Sequence, residues 1–209
     1  LSSFLGFGVG KEEEILGLIK KRLVDYNIIG GSTTDDGRLF SSYEFFNNRV
    51  LKNSIVAIAI YTRRKVAING KLELKKTNIE LEITKSSSDG RIIEEAEKMP
   101  ALDALVSKLG LTQSSFKSLE ELYRTTFYYP LVSAENKEFS TTIGAIYGKK
   151  LVIGHNLKCN KVVILSASGK EILETPKMLQ KIPSSKLTII FACETGLETL
   201  GHKIYEQKK

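Results

Sequence analysis

Ile79-Glu80-Leu81-Glu82-Ile83 alternates apolar and acidic residues without a break. A period of two belongs to a strand with one face on a core and the other in water. That commits the chain to a sheet with a covered side. Further strand patterns surround it. Residues 43–46 and 50–51 flank Asn47-Asn48, a hairpin turn pair. Residues 55–61 (IVAIAIY) are nearly all apolar, as a strand covered on both faces requires. Ser86 to Gly90 form a turn, from which residues 91–95 return as a strand. Residues 127–132, 141–147, 150–153, 161–166 and 187–193 continue the series.

Helical spacing is rarer. Ile15, Leu16, Ile19, Leu23 and Tyr26 share one face between residues 11 and 26, with acids in the first turn and bases near the end, complementing the helix dipole. Pro100 opens a helix carrying Leu102, Leu105, Val106 and Leu109, and Gly110 closes it. A short helix spans 119–124, another covers 171–181 around Pro176, and Leu197, Leu200 and Ile204 define the last. Residues 161–193 thus read as strand, helix and strand, with a crossover long enough for parallel pairing. The fold class expected is α/β (α+β mixed), with two sheet-containing subdomains and flanking helices. The serine-rich stretch 112–118 marks the internal boundary. It divides the chain into 1–111, a linker and short helix at 112–126, and 127–209.

Composition narrows the function. Apolar residues make 42% and charged residues 26%, so a globular core is expected. Thirty-one Lys and Arg against 24 acids give +7, of which +2 falls in residues 1–100 and +5 in 101–209. That balance brings an anionic partner into consideration without establishing one, and neither half forms a basic arm. No apolar run approaches the roughly 18 residues of a membrane helix, and the opening LSSFL lacks the basic start and apolar stretch of a secretory signal. Cys159 and Cys193 are too few for a disulfide scaffold, and with His155 and His202 too few for a clustered metal site. No cofactor or metal is implied, and a reducing, cytoplasmic compartment is the default.

Three stretches carry candidate chemistry. Gly6-Phe7-Gly8-Val9-Gly10-Lys11 fits neither glycine-rich phosphate pattern and reads as the entry to the first helix. Gly30 and Gly31 let backbone come close to a ligand, Ser32, Thr33 and Thr34 offer hydroxyls, and Asp35 and Asp36 offer carboxylates. Such a loop seats a small polar or cationic molecule, or caps its own amides as turns do. Cys193 ends an apolar run just before a helix, where amides lower a thiol pKa, but the favoured reading is an inert or ligand-lining residue. The basic spots Arg63-Arg64-Lys65, Lys75-Lys76, Lys149-Lys150 and Lys208-Lys209 would need interleaved aromatics on one face to bind nucleic acid, whereas Phe45, Phe46, Tyr128 and Tyr129 cluster elsewhere in the sequence, so the basic spots read as solvated strand ends.

The order of landmarks adds a family. IIGGSTTDDGRLFSSYEFFNNRVLKNSIVAIAI resembles the middle of the FIST N-terminal domain, with its Gly-Gly-Ser loop, Tyr-x-Phe strand, Asn-rich turn and apolar strand. Thr84, Gly90, Ile93, Glu94, Pro100, Ala101 and Leu102 follow a second element of that domain. Tyr128-Tyr129-Pro130-Leu131-Val132, with Phe191, Cys193, Gly201 and Glu206, resembles the FIST C-terminal domain. Glu194-Thr195-Gly196 stands where that domain carries an arginine, and the resemblance implies a chain partial at both ends.

The resemblance implies a small-ligand-sensing or adaptor domain of intracellular signal transduction, binding a polar molecule such as an amino acid between its subdomains. A signalling protein would read the bound state. Gly30, Gly31, Ser32, Asp35 and Asp36 would form the ligand-binding loop, and Cys193 would line the facing half; no catalytic residue is assigned. The alternatives are a basic RNA- or ribosome-associated protein, resting on the +7, and, ranked last, a Cys193-dependent enzyme. No membrane partner is expected.

Overall fold

A computed structural model describes residues 12–33, 42–68, 74–112, 114, 116–135, 140–167, 172–173, 187–191, 193, 196 and 199–200. They divide into two compact units, one from residues 1–68 and 185–194, the other from 69–184 and 195–209. The architecture is mixed α and β, as the patterning requires.

The first unit holds helix α1 (Glu12–Arg22) and the hairpin of β1 (Glu44–Phe46) and β2 (Arg49–Leu51), paired antiparallel around Asn47-Asn48. Asn47 has φ 52°, the left-handed conformation that this tight turn demands and that asparagine tolerates. Residues 55–61 differ from expectation. They form no ladder, and Ile58 and Tyr61 are 84% and 96% exposed. Residues 187–191, expected as a buried strand, likewise lack a ladder, with Leu187, Ile190 and Phe191 exposed. Apolar composition sets a preference for burial, but a strand also needs a backbone partner beside it, and no described residue supplies one.

The second unit is built on an antiparallel sheet with its strands in the order β7-β6-β10-β3-β4-β9-β8. Its members are β3 (Lys75–Ser86), β4 (Ile92–Ala96), β6 (Leu131–Ser133), β7 (Ser140–Thr141), β8 (Ile143–Tyr147), β9 (Lys150–Ile153) and β10 (Lys161–Ser166). The short β5 (Met99–Pro100) pairs with β4. The outermost strands β7 and β8 are joined by the single residue Thr142, so the sheet curls back on itself. The alternating segment lies on the central strand β3, with Leu81 fully buried and Glu80 and Glu82 on the outer face. β10 is antiparallel to both its neighbours, β3 and β6. Both its edges are occupied, so the expected parallel crossover has no place beside it.

Helix α2 (Ala101–Lys108) fills the inner side of the sheet. Ala101, Leu102, Ala104, Leu105 and Val106 are buried against Leu81, Ile93, Leu151, Val162 and Ile164. Each of the leucine, isoleucine and valine side chains contributes about 1.5–3 kcal/mol by leaving water. The Leu102 amide donates to the Lys149 carbonyl at 3.0 Å, tying the helix start to the β8–β9 turn. Gly110, at φ +67°, donates its amide to the Ser107 carbonyl and ends the helix as expected. Helix α3 (Leu119–Thr126) is capped by Ser118, whose Oγ accepts from the Glu121 amide at 3.1 Å. Tyr123 on α3 donates to the Gly144 carbonyl of β8 at 2.8 Å. The stretch 112–126 expected as a boundary therefore leads into a helix anchored on this sheet. Strands from both sides of that stretch pair with each other, β3 with β10 and β4 with β9.

Acid pairs tie these strands together. Glu94 bridges Lys150 of β9 and Lys85 of β3, the second at 3.2 Å, and these two ammonium groups hold its carboxyl below the ordinary value. Glu97 accepts from the Glu82 amide at 2.9 Å and pairs with Lys108 at 3.1 Å, and is lowered for those reasons. Asp89 is lowered chiefly by the Ser87 hydroxyl. A carboxyl whose folded pKa is depressed stabilises the fold above its unfolded pKa and loses that contribution as pH falls through the folded one. The urea midpoint of the second unit should therefore be level at neutral pH and decline as pH drops below about 4.5. An unchanged midpoint down to about pH 3 would contradict these pairings. Lys161, raised by Glu80, acts oppositely: its contribution is complete below the ordinary lysine pKa and disappears in strong alkali.

Candidate functional site

In the first unit, Gly30, Gly31, Ser32 and Thr33 run without regular structure towards the β1–β2 hairpin. A Cβ built on Gly30 or Gly31 would meet nothing within 4 Å, so their main chain faces open space. Thr33 Oγ1 donates to Glu44 Oε1 at 3.1 Å, joining this loop to the first residue of β1. The other carboxylate oxygen, Glu44 Oε2, is buried and accepts no hydrogen bond from any described residue. An unsatisfied buried carboxylate oxygen is costly and calls for a donor.

Of the residues singled out in the sequence, Gly30, Gly31 and Ser32 lie along this loop, all exposed. Asp35 and Asp36 lie outside the described residues. Cys193 belongs to the same unit but is exposed, and does not close a buried strand. Glu44 was not anticipated. In sequence, a glutamate at the head of a strand looks like any solvated acid, and only its bond from Thr33 and the Oε2 left without a donor among the described residues distinguish it.

The second unit carries a cleft of about 450 Å³ between two hairpin turns. One is Glu97-Lys98, between β4 and β5, with φ of 53° and 61°. Two successive left-handed residues make a type I′ turn, usually given to Asn-Gly; Glu and Lys bear a cost there of about 1–3 kcal/mol each. The other is Gly148-Lys149, between β8 and β9, where Gly148 takes φ +59°, as the first position of a type II′ turn requires. Lys85, Lys98, Lys149 and Lys150 line the cleft with Tyr147, a residue 56% exposed, and with Glu94 and Glu95. Lys149 pairs with Asp103 at 2.7 Å. Lys98 makes no ion pair among the described residues. Tyr147 lies two residues before Lys149 and was passed over in the sequence; what the sequence does not show is that Lys85 and Lys98, far from it along the chain, share its cleft.

Among the described residues, no group of three or more His, Cys, Asp or Glu side chains could hold a metal ion, and no helix is long and apolar enough to cross a membrane.

No curated protein and no solved structure matches the chain. Residues 4–97 match the family model described as the FIST N domain. That match takes in the Gly30–Thr33 loop, Glu44, the central strand β3 and the Glu94 bridge, and it ends at the Glu97-Lys98 turn. The family model does not extend beyond residue 97, so the expected C-terminal domain is not matched. Over residues 4–97 the chain is therefore similar to the FIST N domain, which comes from a family of sensory and signal-transduction domains.

Proposed function

We propose that the chain is a cytoplasmic small-ligand-sensing or adaptor domain whose ligand is a small polar molecule bearing an ammonium group, an amino acid being the type. The observation carrying this reading is Glu44 Oε2, buried without a donor among the described residues, beside the open Gly30–Thr33 loop. A ligand ammonium supplies the missing hydrogen bond and cancels the charge in one contact. Gly30 and Gly31 offer main-chain groups to the ligand, Ser32 a hydroxyl, Asp35 and Asp36 further carboxylates, and Cys193 an apolar lining. Binding favours the arrangement that holds the ligand best, and a signalling protein reads that population.

Thermal shift with a panel of amino acids tests this. Saturation near 100 Kd adds about 2.7 kcal/mol of stability. Glu44→Gln should abolish the shift while leaving the ligand-free Tm close to that of the wild type, because the half-buried side chain keeps its bond to Thr33 and no described residue bonds Oε2. Gly30→Ala should fold normally, since its Cβ meets open space. If no amine-bearing compound stabilises the wild type, the sensor reading fails. A shift that survives Glu44→Gln removes Glu44 from the site.

A further inference from the structure

The cleft of the second unit has features that the fold alone does not require. Lys98 sits in a left-handed conformation that glycine would adopt without strain. Its neighbour Glu97 is fastened on both sides, by Lys108 and by the Glu82 amide. The turn is held, and what it presents at its tip is an ammonium group with no partner among the described residues. Strain of this kind persists where its surroundings impose it, and it concentrates at ligand clamps.

The other cationic groups are oriented rather than neutralised. Glu94 holds both Lys85 and Lys150, and Asp103 holds Lys149. These are surface pairs, with lysine side chains 44–59% exposed, and such pairs exchange readily for a better anion. Four lysines against two glutamates leave the cleft lining at +2. Tyr147 adds a flat apolar face at the rim. The volume suits a mononucleotide and excludes a duplex.

We propose that this cleft binds a nucleotide, its phosphate held by Lys98 with Lys85, Lys149 and Lys150, and its base against Tyr147. A free nucleotide and one nucleotide of a single strand present the same chemistry. Lysine suits phosphate as a point charge, and a base stacks on tyrosine whatever its sequence.

Calorimetry on the full chain with ADP, inorganic phosphate and hexa-adenylate at low salt tests this. Lys98→Gly should weaken ADP about tenfold through loss of one charged contact, while raising Tm by about 2–4 °C through relief of the turn. Tyr147→Ser should weaken ADP about tenfold and leave inorganic phosphate unaffected. Hexa-adenylate binding at least tenfold tighter than ADP, and falling steeply with salt, identifies the strand as the source; equal affinities identify the free nucleotide. Absence of binding at about 10 mM ligand overturns the proposal. So does unchanged affinity in both variants, or a Lys98→Gly protein that loses binding together with stability.

Discussion

A chain ended after Thr126 is expected to lose the cooperative unfolding transition of its second unit entirely. The cut removes β6 to β10 and leaves β3, β4 and β5 with α2 and α3. β3 then loses β10 along Lys161↔Glu82 to Ser166↔Lys75, and β4 loses β9 along Ile92↔Val152 and Ile93↔Leu151. Leu131, Ile143, Leu151, Ile153, Val162 and Ile164 leave the core at the same time. At about 1.5–3 kcal/mol each, they are worth about 9–18 kcal/mol, as much as the whole net stability of a domain. Urea titration followed by circular dichroism should show a sloping, non-cooperative change in the shortened chain. A sharp transition retained after the cut would mean that residues 1–126 hold a self-sufficient core, and would contradict the pairing of β3 with β10.

The second large effect is expected at Gly90. Its φ of +67° places it where an L side chain is strained, at about 1–2 kcal/mol. A Cβ there would lie 2.4 Å from Asn156 Nδ2 and 2.5 Å from Asn156 Cγ. Asn156 cannot step aside freely: Nδ2 donates to the Asp89 carbonyl at 2.8 Å, and Oδ1 accepts from the Lys158 amide at 2.7 Å. Displacing it forfeits two hydrogen bonds of about 0.5–1.5 kcal/mol each. Gly90→Ala should therefore cost about 2–5 kcal/mol by chemical denaturation. Gly110→Ala provides the reference, with the same φ of +67° but nothing within 4 Å of its Cβ, and should cost only the conformational part. Equal losses at the two glycines would exclude the Asn156 clash.

Much of the second unit is legible from spacing alone. The apolar-acidic alternation at 79–83 is β3, the turn before Arg91 leads into β4, and Pro100 and Gly110 bracket α2. These signals are local, set by side-chain period or by backbone dihedral, so a window of residues contains them. The segments at 55–61 and 187–191 show where local information stops. Their composition is that of buried strands, yet burial and pairing depend on what distant chain provides. The same limit hides both candidate sites. Glu44 gains meaning from Thr33 across a loop, and Tyr147 gains it from Lys98 across the sheet. Glu97-Lys98 is also invisible as a turn, because neither residue type favours the conformation that it adopts.

The strand order carries a consequence for the chain as it is made. β3 leaves the ribosome about 75 residues before β10, its partner along most of its length. At roughly 5–20 residues per second that is about 4–15 s of waiting. Throughout that interval Leu81 and one edge of the longest strand are without their final cover. The closing of the curl at Thr142 also precedes the arrival of β10, so the last strand must insert between two neighbours already present. Conditions that slow synthesis between residues 86 and 161 thus lengthen the period in which β3 can pair with the wrong chain, and yield of folded protein should follow elongation rate as well as equilibrium stability.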